Sequence, residues 1–169
     1  MIHIYFGEGK GKTTAATGLA ARAAGSGMKV LFVQFFKDGS SGEVKSLKAL
    51  ENITFLYPDT YNGRYATMTD DQREVTKRSY TEAMKKAIGM AKDFDLIVLD
   101  EAVSVFSYGF IDRDELLSFL RDNRETKEIV LTGRDPARQL LELADYATEM
   151  RKHRHPFDRG IAAREGIEY

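Results

Sequence analysis

Gly7-Glu8-Gly9-Lys10-Gly11-Lys12-Thr13-Thr14 is a glycine-rich turn between an apolar run, Ile2–Phe6, and a helical pattern over Lys12–Gly25. Glycines allow the backbone to curl so that successive N–H groups point at an anion, and the following helix adds its N-terminal dipole. Lys12 supplies a mobile positive charge for phosphate oxygens, and the Thr13 hydroxyl is suited to bind Mg²⁺. The turn therefore predicts a site for a nucleoside triphosphate.

The turn matches a variant of the phosphate-binding P-loop. The usual pattern has a glycine six residues before the lysine, and here that position is Phe6. A glycine-rich turn with a solvated lysine is the simpler alternative, but the strand–turn–helix context favours nucleotide binding. The predicted nucleotide-binding residues of the loop are Gly7, Glu8, Gly9, Lys10, Gly11, Lys12, Thr13 and Thr14.

A second motif is the apolar run Leu96-Ile97-Val98-Leu99, which ends in Asp100 and Glu101. In P-loop proteins an acid at this place holds Mg²⁺ against the β- and γ-phosphates. The alternative is that both acids are simply exposed to solvent at the end of a core strand. The presence of a P-loop in the same chain favours metal binding instead. We predict Thr13, Asp100 and Glu101 as metal ligands, and Lys12, Thr13 and Glu101 as catalytic residues.

Short β-branched or aromatic runs alternate with helical patterns along the chain. Residues 30–35 and 96–99 include continuous apolar runs, which are typical of parallel strands buried on both faces. The pattern predicts an α/β fold, a three-layer sandwich with a mostly parallel central sheet, in one domain over residues 1–169. The predicted strands are Ile2–Phe6, 30–35, Ile53–Leu56, 96–99, 129–131 and 147–150. The predicted helices are Lys12–Gly25, 43–50, 70–92, 112–123 and 136–144, the last with Asp135 as N-cap.

The composition excludes several classes of function. The 169 residues carry 25 Lys+Arg and 26 Asp+Glu, so the net charge of −1 gives no general reason to bind nucleic acid or an anionic membrane. The absence of cysteine excludes disulfides, thiolate metal sites and a cysteine nucleophile. No apolar run approaches the ~20 residues of a membrane span. We therefore expect a soluble cytoplasmic protein with neither a membrane nor a nucleic acid as partner.

Four parts of the chain resemble the ATP:corrinoid adenosyltransferases that act on cob(I)alamin or cob(I)yrinic acid a,c-diamide, and they are distributed over nearly the whole chain. These parts are residues 7–16, 33–37 and 97–101, and a C-terminal part made of residues 131–134, 143–145, 148–150, 154–158, 160, 163 and 166–169. The C-terminal part is the most specific, because generic P-loop ATPases have no reason to share it.

The resemblance implies a reaction in which a Co(I) corrinoid attacks the 5′-carbon of ATP and triphosphate leaves. Co(I) is itself a strong nucleophile, so the protein has to neutralise the leaving group and exclude water. The family is also understood to hold ATP reversed relative to ordinary P-loop enzymes. The resemblance further implies Mg²⁺, a flavoprotein reductant as partner, and a tail of residues 151–169 that packs back near the site. Because so small a domain has little surface to enclose a corrinoid, we also expect a homodimer.

The chain departs from the family in its aromatic residues. Members commonly use an aromatic pair that includes Trp before the third helix to crowd the lower face of cobalt, and this chain has no Trp. The substitutes available nearby, and our candidates for corrinoid contact, are Tyr61, Tyr65 and Met68, although these residues could instead only anchor a loop. We expect Phe35 and Phe36 to lie in the core.

Arg134 follows a core strand at the edge where α/β sheets bind ligands. We include it among the nucleotide-binding residues, with an ion pair to Asp135 or Asp145 as the alternative. Two other functions remain open from the residues alone. One is a small P-loop phosphotransferase or ATPase acting at the γ-phosphate, although its loop over residues 58–67 contains only one arginine, Arg64. The other is a non-catalytic nucleotide-binding regulatory module.

Overall fold

The central sheet has six strands in the order β3-β2-β4-β5-β1-β6, and every pairing is parallel. The computed structural model describes residues 1–168, so Tyr169 of the predicted tail lies outside the described residues. The strands are β1 (Ile2–Phe6), β2 (Val30–Gln34), β3 (Ile53–Leu56), β4 (Leu96–Asp100), β5 (Glu128–Thr132) and β6 (Tyr146–Glu149). The prediction of an α/β fold with a mostly parallel sheet is confirmed.

Helices cover both faces of this sheet. They are α1 (Lys12–Gly25), α2 (Gly42–Lys48), α3 (Asp70–Met90), α4 (Ala102–Ser107), α5 (Arg113–Asn123) and α6 (Arg138–Leu143). On one face the buried alanines of α1, such as Ala16 and Ala20, pack against Phe32 and Val98. On the other face Tyr80 and Met84 of α3 pack in a larger cluster with Leu99. Strands β2 and β4 are buried along their full length because they lie between these two layers.

Two predicted helix features are wrong. The six-residue helix α4 follows Glu101 directly, and the sequence pattern did not predict it. The last helix begins at Arg138, with the extended Ala137 before it, so Asp135 is not its N-cap. The Asp135 carbonyl instead accepts a hydrogen bond from the Ser107 hydroxyl at 3.2 Å. This contact ties the segment before α6 to the end of α4. Within residues 1–168, none of the helices has the length and apolar character needed to cross a membrane.

Helix α3 begins with a side-chain cap whose contribution to stability can be measured. Thr69 and Gln72 form a capping box, in which the Gln72 N–H donates to the Thr69 hydroxyl at 3.2 Å and the Thr69 N–H donates to the Gln72 side chain at 2.9 Å. Thr69→Ala removes the first bond and should lower the free energy of unfolding by about 1 kcal/mol in urea denaturation. The exposed Thr126→Ala is the matched control, with an expected change within about 0.5 kcal/mol. Equal losses in the two variants would contradict the cap.

Candidate active site

The glycine-rich loop lies at the carboxyl edge of the sheet, where parallel α/β sheets bind their ligands. It leaves β1, which lies between β5 and β6, so the chain that follows each of these strands flanks it. The Gly7 N–H donates to the Arg134 carbonyl after β5 at 2.9 Å, and the Gly9 N–H donates to the Met150 carbonyl after β6 at 2.5 Å. The loop is therefore held between two neighbouring chain segments.

Close packing explains why two loop positions are glycine. A Cβ built at Gly7 would lie 2.8 Å from the Met150 carbonyl oxygen, and one at Gly9 would collide with the same atom. Gly7 also has a left-handed backbone, with φ of 104°. The loop can approach the end of β6 this closely only because both side chains are absent.

Lys12 begins α1, and its ammonium lies within the loop. The Nζ atom donates to the carbonyl oxygens of Gly7 at 2.7 Å and Gly9 at 2.8 Å. Partial burial lowers the pKa of Lys12, although the Glu101 carboxylate acts in the opposite direction. The first N–H groups of α1 have no partners inside the helix, so they and Lys12 offer positive charge to one anion.

Asp100 is the most enclosed charged group of the site, with no exposed surface. Its Oδ1 atom accepts hydrogen bonds from the Thr13 hydroxyl at 2.9 Å and the Thr132 hydroxyl at 2.7 Å. Its Oδ2 atom accepts from the Gln34 amide at 3.3 Å and lies 3.5 Å from the Lys37 ammonium. A buried carboxylate needs such partners, because an unpaired charge is costly in the interior.

Glu101 follows in a left-handed conformation, with φ of 63°, which is uncommon for a residue with a side chain. Its N–H donates to the Thr132 hydroxyl at 2.8 Å, and its carboxylate accepts from the Ser104 hydroxyl at 2.8 Å. Burial, together with the neighbouring Asp100 carboxylate, raises the pKa of Glu101 above its ordinary value. Strained backbones of this kind concentrate at functional sites.

The donor set near the loop is suited to Mg²⁺. Thr13, Asp100 and Glu101 offer only oxygen atoms, which are the ligands that Mg²⁺ prefers. Within residues 1–168, no group of three His, Asp or Glu side chains lies close enough to hold a metal ion alone. Mg²⁺ at nucleotide sites is usually bound through one or two carboxylates and completes its shell with phosphate oxygens and water.

Two clefts open beside the loop and share two residues. The first, here named the loop cleft, has a volume of about 560 Å³ and lies between the loop, α2 and the tail. It is lined by Lys10, Gly11, Lys12, Thr13, Thr14, Thr17, Lys37, Gly42, Glu43, Ser46, Glu101, Gly166, Ile167 and Glu168. The buried Thr17 hydroxyl at its wall has no protein partner within the described residues.

The second, here named the aromatic cleft, has a volume of about 360 Å³. It is lined by Phe36, Lys37, Gly63, Arg64, Tyr65, Ala66, Glu101, Ser104, Tyr108 and Arg134. The rings of Tyr65 and Tyr108 stack with centroids 4.0 Å apart and an angle of 4° between their planes. Phe36 meets Tyr108 edge-on at 6.0 Å, and Lys37 and Glu101 line both clefts.

The structure separates the three candidates for corrinoid contact. Tyr65 lines the aromatic cleft, whereas Tyr61 is exposed outside the lining of that cleft. Met68 is only 5% exposed, and its sulfur accepts a 3.8 Å contact from the Thr76 hydroxyl in the core. This burial opposes a direct contact between Met68 and a ligand.

Sequence reasoning missed two aromatic residues of the aromatic cleft. Phe35 lies in the core as expected, whereas Phe36 packs against the core but is partly exposed and also lines the cleft. The left-handed Phe36, with φ of 53°, turns the chain at this point, and its N–H donates to the Tyr80 hydroxyl at 2.9 Å. Tyr108, 44% exposed, comes after the unpredicted α4. In the sequence, the only indication that Tyr108 could belong to a binding site is its aromatic side chain.

Arg134 lies at the rim of the site and pairs with a loop residue. Its guanidinium lies 2.5 Å from the Glu8 carboxylate, and Asp145 instead pairs with Arg124 at 2.6 Å. The alternative of an ion pair with Asp135 or Asp145 is therefore wrong. The pairing keeps Arg134 beside the loop, and its contact with nucleotide stays a prediction.

Tail residues also lie against the loop. The Lys10 ammonium is 3.7 Å from the Glu168 carboxylate, which also pairs with Arg164 at 3.0 Å. A groove of about 350 Å³ lies between tail residues such as Phe157 and Ile161 and the arginines Arg64 and Arg134. Because both arginines also line the aromatic cleft, the two openings adjoin.

These features define a P-loop-type nucleotide-binding fold. A solved structure of EssC (ATPases 2 and 3) from Geobacillus thermodenitrificans is similar to this chain with a TM-score of 0.54 and 14% identity. The match covers 98% of this chain and 34% of that one, so the chain spans about a third of its length. This likeness supports the fold alone.

The family described as ATP:corrinoid adenosyltransferase BtuR/CobO/CobP matches residues 1–169, and the chain belongs to that family of transferases. Over its full length the chain is 34% identical to the corrinoid adenosyltransferase of Escherichia coli (strain K12), covering 85% of that protein. It is 33% identical to corrinoid adenosyltransferase CobA of Salmonella typhimurium (strain LT2), with the same coverage. It is also 33% identical to the corrinoid adenosyltransferase of Pseudomonas aeruginosa, covering 83% of it. The resemblance noted from sequence is thereby confirmed.

Gly9→Ala tests the close contact between the loop and β6. Because the new methyl group would collide with the Met150 carbonyl, we expect the free energy of unfolding to fall by about 1–3 kcal/mol and ATP binding to weaken. Gly18→Ala is the matched control, because Gly18 is exposed in α1 and a Cβ there meets nothing within 4 Å. That variant should be more stable by about 0.5–1 kcal/mol and should bind ATP normally. Denaturation and calorimetric ATP titration measure both, and normal behaviour of Gly9→Ala would contradict the packing argument.

Proposed function

We propose that this protein transfers the 5′-deoxyadenosyl group of ATP to the cobalt of a Co(I) corrinoid and releases triphosphate, in adenosylcobalamin synthesis or salvage. The observation that carries the proposal is the junction of the two clefts at Lys37 and Glu101. A phosphate-binding loop and an aromatic surface meet there, as a reaction between the 5′-carbon of ATP and a large, flat substrate requires. Membership of the corrinoid adenosyltransferase family supports the same assignment.

The triphosphate would bind in the loop cleft. The N–H groups at the start of α1 and the Lys12 ammonium offer positive charge, and Arg134 is close enough to the loop to add to it. Thr13, Asp100 and Glu101 would hold Mg²⁺, which when bound neutralises negative charge on the triphosphate. Lys12 would exchange its bonds to the Gly7 and Gly9 carbonyls for phosphate oxygens.

The chemical step needs no nucleophile from the protein. The Co(I) lone pair forms the Co–C5′ bond while the C5′–O5′ bond breaks and its electron pair leaves on the triphosphate. Cobalt is thereby oxidised to Co(III), and no proton has to move. The task of the chain is then to orient the 5′-carbon, stabilise the leaving charge and keep water away.

The aromatic cleft would receive one face of the corrinoid. The stacked Tyr65 and Tyr108 rings and the partly exposed Phe36 form an apolar wall without tryptophan. The adjoining groove beside Arg64 and Arg134 would accommodate polar side chains at the corrinoid edge, and residues 151–169 would complete the site within one domain. The corrinoid would be cob(I)alamin or cob(I)yrinic acid a,c-diamide.

The proposal includes an external reductant, a second copy of the chain and a location in the cell. The electron that produces Co(I) would come from a flavoprotein reductant, as the resemblance to the family implies. A second copy of the chain would cover the part of the corrinoid that a cleft of about 360 Å³ leaves exposed. The reaction would take place in the cytoplasm, where ATP is available.

Product analysis tests the reaction directly. The protein with ATP, Mg²⁺ and chemically reduced corrinoid should yield triphosphate and a light-sensitive Co–C product in equal amounts. Formation of ADP instead would support a γ-phosphate transferase or ATPase and overturn the proposal. Tight ATP binding without any turnover would also overturn it, in favour of a regulatory module.

Tyr108→Ala tests the aromatic wall. Removing the ring that stacks on Tyr65 should weaken corrinoid binding by about tenfold and leave ATP binding unchanged. Tyr146→Ala is the matched control, because Tyr146 is similarly exposed at 52% but stacks on His3 at the far end of β6. Absorbance titration with corrinoid and calorimetry with ATP measure both affinities. Equal corrinoid affinity in the two variants would place the corrinoid elsewhere.

A further inference from the structure

The proposed reaction, as described so far, assigns no role to Lys37, although this cationic residue lines both clefts. It follows β2 and the left-handed Phe36, which turns the chain so that the Lys37 side chain reaches the carboxyl edge of the sheet. Its Nζ atom donates to the Glu43 carboxylate at 2.8 Å and lies 3.5 Å from Asp100 Oδ2. With its side chain 29% exposed, the ammonium is anchored at the site and still accessible to a ligand.

Lys37 differs from the other cationic residues of the site in the clefts that it lines. Lys12 lines the loop cleft but not the aromatic cleft, whereas Arg134 lines the aromatic cleft and the adjoining groove beside Phe157 and Ile161. Among the Lys and Arg side chains within residues 1–168, Lys37 alone lines both the loop cleft and the aromatic cleft. The other residue that the two clefts share, Glu101, is an acid.

The junction is where negative charge has to be stabilised. If triphosphate lies in the loop cleft and the corrinoid in the aromatic cleft, the 5′-carbon lies between them. As the C5′–O5′ bond breaks, the electron pair collects on O5′ and the α-phosphate. A fixed cation at that point is worth most in the transition state, because the charge is not yet present in the bound substrate.

We propose that Lys37 is a catalytic residue that contacts the α-phosphate next to O5′ and stabilises the charge of the leaving triphosphate. This inference rests on the proposed function. Glu43 then acts as a positioning residue, since its carboxylate holds the Lys37 ammonium at the junction. A nitrogen with three N–H donors can keep one bond to Glu43 while it donates to phosphate.

A purely structural role for Lys37 is the competing explanation, in which it only compensates the charges of Glu43 and Asp100. Loss of the charge beside Asp100 would disturb its bond to Thr13 and weaken binding of ATP with Mg²⁺, whereas loss of a transition-state contact would not. Lys37→Met should lower kcat with pre-formed Co(I) corrinoid by about 100-fold, while the Kd for ATP without corrinoid stays nearly unchanged. The double variant Lys37→Met/Glu43→Gln has no uncompensated Glu43, yet it should remain as slow as Lys37→Met.

Single-turnover kinetics, calorimetry with Mg²⁺ and ATP, and thermal melting measure these effects. Lys45→Met is the matched control, because Lys45 is an exposed lysine on the same helix as Glu43 and lines neither cleft. Recovery of kcat in the double variant, a loss in Lys37→Met confined to KM, or a clearly weaker Kd for ATP with Mg²⁺ in Lys37→Met would overturn the role of Lys37. If the wild-type protein released ADP instead of triphosphate, the proposed function itself would fail. The two failures are therefore distinguishable.

Discussion

The arrangement of the site depends on the hydrogen bonds and the ion pair that the buried Asp100 carboxylate forms. This carboxylate lies at the end of β4 with no exposed surface, and its partners are Thr13 of α1, Thr132 of β5, Gln34 of β2 and Lys37 after β2. Removing one partner of a buried charge is far more costly than breaking a surface pair, because the remaining charge stays desolvated. Asp100 therefore fixes the start of α1 relative to three strands, and with it the position of the loop.

The strand order converts this local network into a site with two sides. Because β1 lies between β5 and β6, the loop that leaves it is flanked by Arg134 and Met150. On the β2 side, the turn at Phe36 brings Lys37 back to the sheet edge, and Glu101 turns the chain into α4. Gly133 allows α4 to pack close to β5, since a Cβ there would clash with Val103. These turns position the residues that line the loop cleft and the aromatic cleft.

Most of the fold, and the position of the glycine-rich loop beside the loop cleft, could be predicted from local sequence. Strands such as Ile2–Phe6 and the helix Lys12–Gly25 have the predicted bounds, because their apolar pattern and punctuation are local properties. The positive φ angles of Phe36 and Glu101 could not be predicted, since each depends on tertiary partners that sequence spacing does not show. The same limit explains why Met68 was a candidate for ligand contact although α3 buries it, and why Tyr108 was missed.

The central claim is that the nucleotide and the corrinoid meet at the junction of the two clefts. Electron paramagnetic resonance can test this on a stable complex, because Co(II) corrinoid does not attack ATP and Mn²⁺ can replace Mg²⁺. With ATP, Mn²⁺ and Co(II) corrinoid all bound, we expect strong magnetic coupling between the two metal ions, which is lost when ATP is omitted. Uncoupled Mn²⁺ and Co(II) spectra from a complex shown to contain all three ligands would contradict it.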